Sequence, residues 1–452
     1  MTNKKPSVGI LGAGISGLAA AYKLSRNNID VTVYEKDSQV GGAIKTHQED
    51  EWLVEEGPNT LMVKSEEVWD LLEKTGLNKS HIEAGNTAKK RFIVKNDQPV
   101  ALPLSLGSFV TTDLFSTRAK FRLLKEPFIT QSPNKDESIA EFINRRLGSE
   151  PLDYAVNPFV SGIYAGDPKK LSVKHTFELL WDLEQQYGSL FMGMFRRDRN
   201  DNSQKRALLS FEKGNQQLPI AMADALDKKV QTETEIQSVA TSGDQWIVKG
   251  QQNNHSFTDE HDIVISTLPA YHLSAIFDDA VFKPLDNLPY APLSVVALGF
   301  SDEQIGHPLD GFGMLIPEAE KRKTLGVLFS SSLFPDRAPE HHQLLTSFIG
   351  GARNPELAGK NKQALQEIVL SEISELLDIS GEPVFSHHRF WPKTIPQYEV
   401  GYDRFLSYIN EAENRHRGLF IEGNFRGGVS VPDCILSGFE TAKKAQTFLN
   451  GQ

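Results

Sequence analysis

The sequence predicts an α/β protein: a Rossmann-type nucleotide-binding domain built from discontinuous segments, a mixed-sheet second domain and a helical insert. Three observations predict it. An apolar run, Val8 to Leu11, leads into Gly12-x-Gly14-x-x-Gly17, and a helical stretch, Leu18 to Leu24, follows. A second strand-like run from Asp30 ends on Glu35, about 20 residues past the glycines, where a ribose-hydroxyl acceptor is expected. Far along the chain, Gly418-Leu419-Phe420-Ile421-Glu422-Gly423-Asn424 is followed by Gly427-Gly428 and Pro432-Asp433-Cys434-Ile435. A nicotinamide site can stop at the first signal. A chain that returns at its far end to finish the same site holds a longer, extended dinucleotide, which points to FAD.

Each glycine of the first loop has its own task. Gly12 permits the tight turn, Gly14 has no side chain to hold a pyrophosphate away from the backbone, and Gly17 lets the helix pack closely on the sheet. The helix N-terminus, with Ile15 and Ser16 in its first turn, faces the phosphates. Next come Lys36, then Gly41-Gly42-Ala43-Ile44-Lys45-Thr46, then Glu55-Glu56-Gly57-Pro58-Asn59.

Glu35-x(5)-Gly41-Gly42-x-x-x-Thr46 after a Rossmann loop resembles the flavin monoamine-oxidase superfamily, whose members often carry Arg where this chain has Ala43. Gly57-Pro58 resembles the family turn that passes the flavin ring. Three further segments resemble the protoporphyrinogen/coproporphyrinogen oxidase family: Asn157-Pro158-Phe159-Val160-Ser161-Gly162-Ile163-Tyr164-Ala165-Gly166-Asp167-Pro168, then Ile395-Pro396-Gln397-Tyr398, then the tail from Gly423 to Ile435. The resemblance implies non-covalent FAD held by Gly12, Gly14, Ile15, Ser16, Gly17, Glu35, Lys36, Gly41, Gly42, Ala43, Gly57, Pro58, Asn59, Ile236, Trp391, Gly423, Asn424, Val429, Ser430 and Val431. It implies a porphyrinogen as substrate and molecular oxygen as acceptor. Arg91 resembles the family arginine that meets a substrate propionate, and a guanidinium can grip a carboxylate bidentately. A porphyrin slot should be walled by apolar and aromatic groups; Phe329 is the chosen candidate, with Phe334, Phe348 and Trp391 beside it. The strand-like Leu293 to Phe300 lacks the lysine that many amine oxidases carry there. The alternatives on the same fold are oxidation of coproporphyrinogen III instead of protoporphyrinogen IX, an amine oxidase or carotenoid desaturase, and a non-catalytic binding protein.

The expected domains are 1–65, 208–275 and 410–452 for the cofactor; 66–105 and 276–409 for the substrate; and 106–207 for the helical insert. The middle cofactor segment contains the strand-like Glu235 to Val239 and the buried run Asp262 to Leu268. A helix starting near Pro432 would aim its partial positive charge at the flavin edge where charge accumulates on reduction. In the insert, Asp136 is expected to cap a helix from Ser138 that stops at Gly148.

Composition narrows the setting. The 452 residues carry a formal net charge of −11, which disfavours nucleic acid as a partner. Cys434 is the single cysteine, so no intrachain disulfide forms. A strand begins within a few residues of Met1, leaving no room for a signal peptide, and no apolar run reaches the roughly 18 residues of a membrane span. The expectation is a cytoplasmic protein, with a peripheral membrane contact through 191–199 or 104–115 and a homodimer both open. No Ser-His-Asp set and no metal-spaced Cys/His cluster is visible; His387-His388 lacks spaced partners. No catalytic side chain and no metal is therefore assigned, which fits a reaction whose chemistry belongs to the cofactor.

Overall fold

A computed structural model describes residues 5–196 and 206–451. Its nucleotide-side sheet has five strands, in the order Val230–Gln231, Asp30–Tyr34, Ser7–Leu11, Ile263–Ser266, Leu419–Ile421, all parallel. Parallel sheets are covered on both faces, so their strands read as continuous apolar runs. Ser7–Leu11 is buried throughout. In Ile263–Ser266, Ile263 and Ile265 enter one core and Val264 the other.

The first core packs helices Ile15–Ser25, Gln217–Asp224 and Val431–Asn450 on the sheet. It also takes Val68, Leu71 and Leu72 from helix Glu66–Lys74, so this core extends past residue 65. The second core packs helix Asp403–Arg415 and a three-stranded antiparallel sheet, Thr234–Ser242, Gln245–Gln252 and His255–His261.

The other large sheet has seven strands: Phe385–Pro396, Tyr290–Ser301, His342–Gly350, Thr324–Phe329, Gly313–Leu315, Phe92–Lys95 and Gln98–Ala101. Helix Lys362–Leu377 covers one face, burying Val296, Leu298, Phe300, Val327, Phe329, Leu345 and Ile349. A further short sheet joins Leu61–Val63, Ala207–Phe211 and His81–Glu83, with Ala207–Phe211 in the middle.

The described part of the insert is helical. Its helix Ile139–Arg146 is capped by Ser138, not Asp136: Ser138 and Glu141 form a reciprocal capping box. Asp136 instead accepts from Ser172 Oγ at 2.5 Å and from the Gly401 amide at 2.7 Å. The helix stops as expected at Gly148, whose φ of +99° suits glycine. Behind it Arg146, Glu126 and Glu184 form a fully buried ionic cluster, with Arg146 donating to Glu184 at 2.6 Å and to Glu126 at 3.2 Å.

Candidate cofactor and substrate site

The glycine loop separates the three tasks assigned to it. Gly12 has a φ of +99°. A Cβ on Gly17 would lie 2.1 Å from the Gly12 carbonyl oxygen. Gly14 is different: its φ and ψ of −69° and 173° suit any residue, and a Cβ there would meet nothing within 4 Å. The space in front of Gly14 is therefore an open cradle at a helix N-terminus, as phosphate binding requires.

Neighbouring segments close around this cradle. The Gly41 amide donates to the Ala13 carbonyl at 2.9 Å, and a Cβ on Gly42 would come 3.5 Å from Gly14 Cα. The Ala43 carbonyl lies under Gly57, where a Cβ would approach it to 1.9 Å, which explains the glycine. Asn59 Nδ2 donates to the Gly57 carbonyl at 2.9 Å and so holds the turn that carries Pro58. Glu35 is buried; its carboxylate accepts from the Ala13 amide at 2.9 Å and the Asp37 amide at 3.0 Å, so it also shapes the loop. Lys36 is exposed beside it. The Thr234 amide donates to the Glu35 carbonyl at 2.8 Å, which brings the half-buried Ile236 to this end of the crevice.

The tail supplies a second helix N-terminus. Ser430 caps Val431–Asn450, with its Oγ accepting from the Asp433 amide at 3.2 Å. Helices Ile15–Ser25 and Val431–Asn450 both follow strands of one parallel sheet, so both begin at its C-terminal edge. They touch closely enough that a Cβ on Gly438 would lie 2.5 Å from the Ser16 carbonyl. Ile15, Ser16 and Val431 are buried in this contact, and Val429 is half-buried. Cys434 is buried as well, and burial pushes its thiol up to about 12. That thiol is a poor nucleophile for tethering a cofactor.

Three motifs far apart in the chain meet here. Gln397 Nε2 donates to the Tyr164 carbonyl at 2.9 Å, and Tyr398 O–H donates to the Asn424 carbonyl. Tyr402, absent from the sequence-derived set, donates to the Phe425 carbonyl at 2.6 Å. Burial raises the phenols of Tyr398 and Tyr402, which therefore serve as neutral donors holding the Gly423-Asn424 turn. On the edge strand Phe385–Pro396, alternate residues face Glu56. His387 Nε2 lies 2.8 Å from its carboxylate, Arg389 Nε lies 3.8 Å away, and Trp391 Nε1 donates to the Glu56 carbonyl at 2.6 Å.

The sheet face opposite helix Lys362–Leu377 is the candidate substrate wall. Register places Ile93, Leu315, Gly326, Phe348, Val295 and Arg389 in one row. Gly313, Leu328, Thr346, Ala297 and His387 form the next. Gly326 and Gly313 are buried in these rows, where a Cβ on Gly326 would lie 3.0 Å from Leu315 Cδ2, and Leu315, Leu328 and Phe348 are half-buried. Helix Asn157–Tyr164 crosses this wall: a Cβ on Gly162 would lie 2.8 Å from Leu315 Cδ2. Phe329 does not line the wall. It is 0% exposed in the core beneath helix Lys362–Leu377, near the rings of Phe92 and His307, because strand pleating turns Leu328 outward instead. Phe334 is buried too, whereas Phe348 and Trp391 are half-buried. Arg91 stands one residue before Phe92–Lys95, exposed, with its guanidinium 5.0 Å over the Phe312 ring. Alternation puts it on the face of Ile93.

His387, without spaced partners along the chain, has neighbours in space. His47, Glu56 and His387 come together with one ligand atom each within 4.8 Å of the others. Cys/His spacing along the chain could not reveal a set drawn from positions more than three hundred residues apart.

This cradle, the acidic residue after the second strand and the returning tail define a flavin-dependent oxidoreductase. The description "flavin containing amine oxidoreductase" matches residues 15–445, and the chain belongs to that family. Within it the chain falls among the protoporphyrinogen oxidases. It is 36% identical to protoporphyrinogen oxidase 2 (chloroplastic/mitochondrial) of Arabidopsis thaliana, over 98% of this chain and 94% of that one. It is 34% identical to the mitochondrial protoporphyrinogen oxidase of Nicotiana tabacum, over 98% and 95%. The coproporphyrinogen III oxidase of Bacillus subtilis is 27% identical, over 99% and 100%. A crystal structure from Exiguobacterium sp. 255-15 shares the fold at a TM-score of 0.84 and 24% identity, over 99% of both chains. Reduced UDP-galactopyranose mutase shares it at 0.75 and 16%, over 98% and 96%.

Proposed function

We propose that this chain oxidises protoporphyrinogen IX to protoporphyrin IX in heme biosynthesis, with FAD taking two electrons per cycle and oxygen accepting them as hydrogen peroxide. The observation that carries the reading is the apolar sheet face bearing half-buried Leu315, Leu328 and Phe348, with exposed Arg91 on the same face. Such a wall suits a large flat ring with an acidic edge. Identity is also higher to the protoporphyrinogen oxidases than to the coproporphyrinogen III oxidases.

Bound FAD supplies the electron acceptance; the residues of the chain bind and orient. Gly14 leaves room for the pyrophosphate at the N-terminus of Ile15–Ser25. The N-terminus of Val431–Asn450 places partial positive charge beside the cofactor. Leu315, Leu328 and Phe348 exclude water from one face of the substrate, and Arg91 meets a propionate. The role left to the protein is orientation, worth several orders of magnitude in rate when reacting atoms are held close. The second cation of the Phe348 row, Arg389, is stacked 4.6 Å over Trp391 and turned to Glu56. That leaves Arg91 as the propionate partner on this wall and favours the dicarboxylate substrate over the tetracarboxylate. Strand Tyr290–Ser301 carries no lysine, which argues against amine oxidation.

A peripheral membrane contact belongs to the same reading. Phe121, Leu124, Phe128, Met194 and Phe195 are exposed on the insert, and Arg118, Arg122, Lys125 and Arg196 accompany them in sequence. Arg197 to Arg199 of the expected contact lie outside the described residues. Apolar groups beside basic ones suit an anionic interface. No helix among the described residues is long and apolar enough to cross a membrane.

The deciding experiment is turnover of protoporphyrinogen IX and coproporphyrinogen III side by side under air, with peroxide measured. Faster turnover of the tetracarboxylate would overturn the substrate assignment. Turnover that needs NAD(P)⁺ and yields no peroxide would overturn the acceptor.

A further inference from the structure

We propose that His47, Glu56 and His387 form a binding site for one divalent transition cation of the Zn²⁺ type, tying the cofactor-side hairpin to the edge of the substrate sheet.

The three side chains come from separate elements: strand Thr46–Glu49, the end of strand Trp52–Glu55 and strand Phe385–Pro396. Their donor atoms already lie within 4.8 Å of one another. Ligand atoms on a tetrahedral Zn²⁺ stand about 3.3 Å apart, given bonds of about 2.0–2.1 Å. Closing that difference takes a side-chain rotation that swings one imidazole out of its stack on the other. Two imidazoles and a carboxylate form a donor set that favours Zn²⁺, Ni²⁺ or Fe²⁺ over Mg²⁺ and Ca²⁺.

The surroundings resemble the supporting shell of a metal site. The His47 and His387 rings stack at 4.0 Å with planes 15° apart, and one of them leaves this stack to bring its in-plane lone pair to the ion. Glu56 is anchored through its carbonyl by Trp391 Nε1 at 2.6 Å, and Arg389 approaches its second carboxylate oxygen at 3.8 Å, leaving Oε1 toward His387. Ligating carboxylates are commonly held by such partners. Glu49 lies 3.3 Å from His47 Nε2, within reach as a fourth ligand. The three side chains are 33%, 12% and 16% exposed, so an ion can enter without unfolding.

On binding, the proton that His387 Nε2 shares with Glu56 moves to Nδ1 or leaves to solvent, and the freed nitrogen lone pair meets the metal. The consequence is mechanical. Glu56 directly precedes Gly57-Pro58, so the ion would clamp the turn expected beside the flavin.

The test is calorimetric titration of the FAD-loaded protein with ZnCl₂, with the thermal midpoint followed in parallel. One Zn²⁺ per chain is expected, with a raised midpoint. In His387→Gln and His47→Gln, each checked for folding by retained flavin absorbance, affinity should fall at least tenfold. Absence of saturable binding in the wild type overturns the proposal, as does wild-type affinity in both variants. Should one variant lose flavin, the other decides.

Discussion

Two neighbouring glycines should fail in opposite ways when each gains a single methyl group. In the flavin-free protein Gly14→Ala places its Cβ in open space, with nothing within 4 Å, on a backbone of φ −69° and ψ 173° that alanine adopts freely. Its fold should be as stable as the wild type, or more so by about 0.4–1 kcal/mol, because the unfolded chain loses freedom. Its methyl group fills the cradle. A phosphate pushed off the backbone N–H donors loses charge-assisted hydrogen bonds worth about 1.5–3 kcal/mol each, so FAD affinity should drop roughly 10- to 150-fold. Gly17→Ala is the reverse case. Its Cβ would lie 2.1 Å from the Gly12 carbonyl and 2.8 Å from Thr267 Oγ1, so helix Ile15–Ser25 must back away from the sheet. Overpacking of that kind costs about 1–3 kcal/mol of stability before any cofactor is added. The assay is a thermal melt of both flavin-free variants, paired with FAD titration by flavin fluorescence. The reasoning fails if Gly14→Ala binds FAD like the wild type, or melts as early as Gly17→Ala.

Three further outcomes follow from the same structure. Arg91→Ala should raise KM for a dicarboxylate porphyrinogen about 10- to 150-fold, from loss of a charge-assisted contact, and leave FAD content unchanged; wild-type kinetics would make Arg91 a plain surface residue. Phe348→Ala should impair turnover with modest loss of stability, whereas Phe329→Ala should cost about 3–5 kcal/mol of stability through a core cavity; equal effects on the melt would contradict the assigned faces. Burial raises the Glu55 carboxyl from 4.5 to about 7, partly opposed by Arg337. A carboxyl raised by folding contributes stability that is full below the unfolded value and lost as pH climbs through the folded one. At about 1.36 kcal/mol per pH unit this amounts to about 3 kcal/mol between pH 4.5 and 7. Glu55→Gln should flatten the pH dependence of the melting point across that window; the slope is the readout, since the substitution also strands buried Arg337, and an unchanged slope would refute the assignment.

Much of this architecture was legible because local chemistry and fold agree. The glycine loop, the strand ending on Glu35 and the helix opening at Pro432 each carry their own signal, and each forms where expected. The helix cap was misread between two residues of capping type, although Ser138-x-x-Glu141 spelled out a capping box. Phe329 was misassigned for a deeper reason. Five of the six residues of Thr324–Phe329 are buried, so no polar alternation marks which face holds Leu328 and which holds Phe329. The His47, Glu56 and His387 cluster was beyond reach in sequence, because only the packing of one sheet's hairpin against the edge of another brings position 387 beside position 56. Tyr402 carried no signal distinct from any other aromatic in the turn before an amphipathic helix.

The strand order of the nucleotide-side sheet has a consequence for how the protein is made. Ser7–Leu11 and Leu419–Ile421 are both neighbours of Ile263–Ser266, one on each side. At synthesis rates of roughly 5–20 residues per second, the glycine loop emerges on the order of a minute before the strand and helix that complete its site. Until then the exposed sheet edge beside Ile263–Ser266 is an open invitation to mispairing and to chaperones. A chain interrupted before residue 431 would hold the glycine loop and lack the Val431–Asn450 helix. The glycine loop therefore waits through roughly four hundred residues of synthesis for the helix that packs against its own, where Gly438 meets the Ser16 carbonyl.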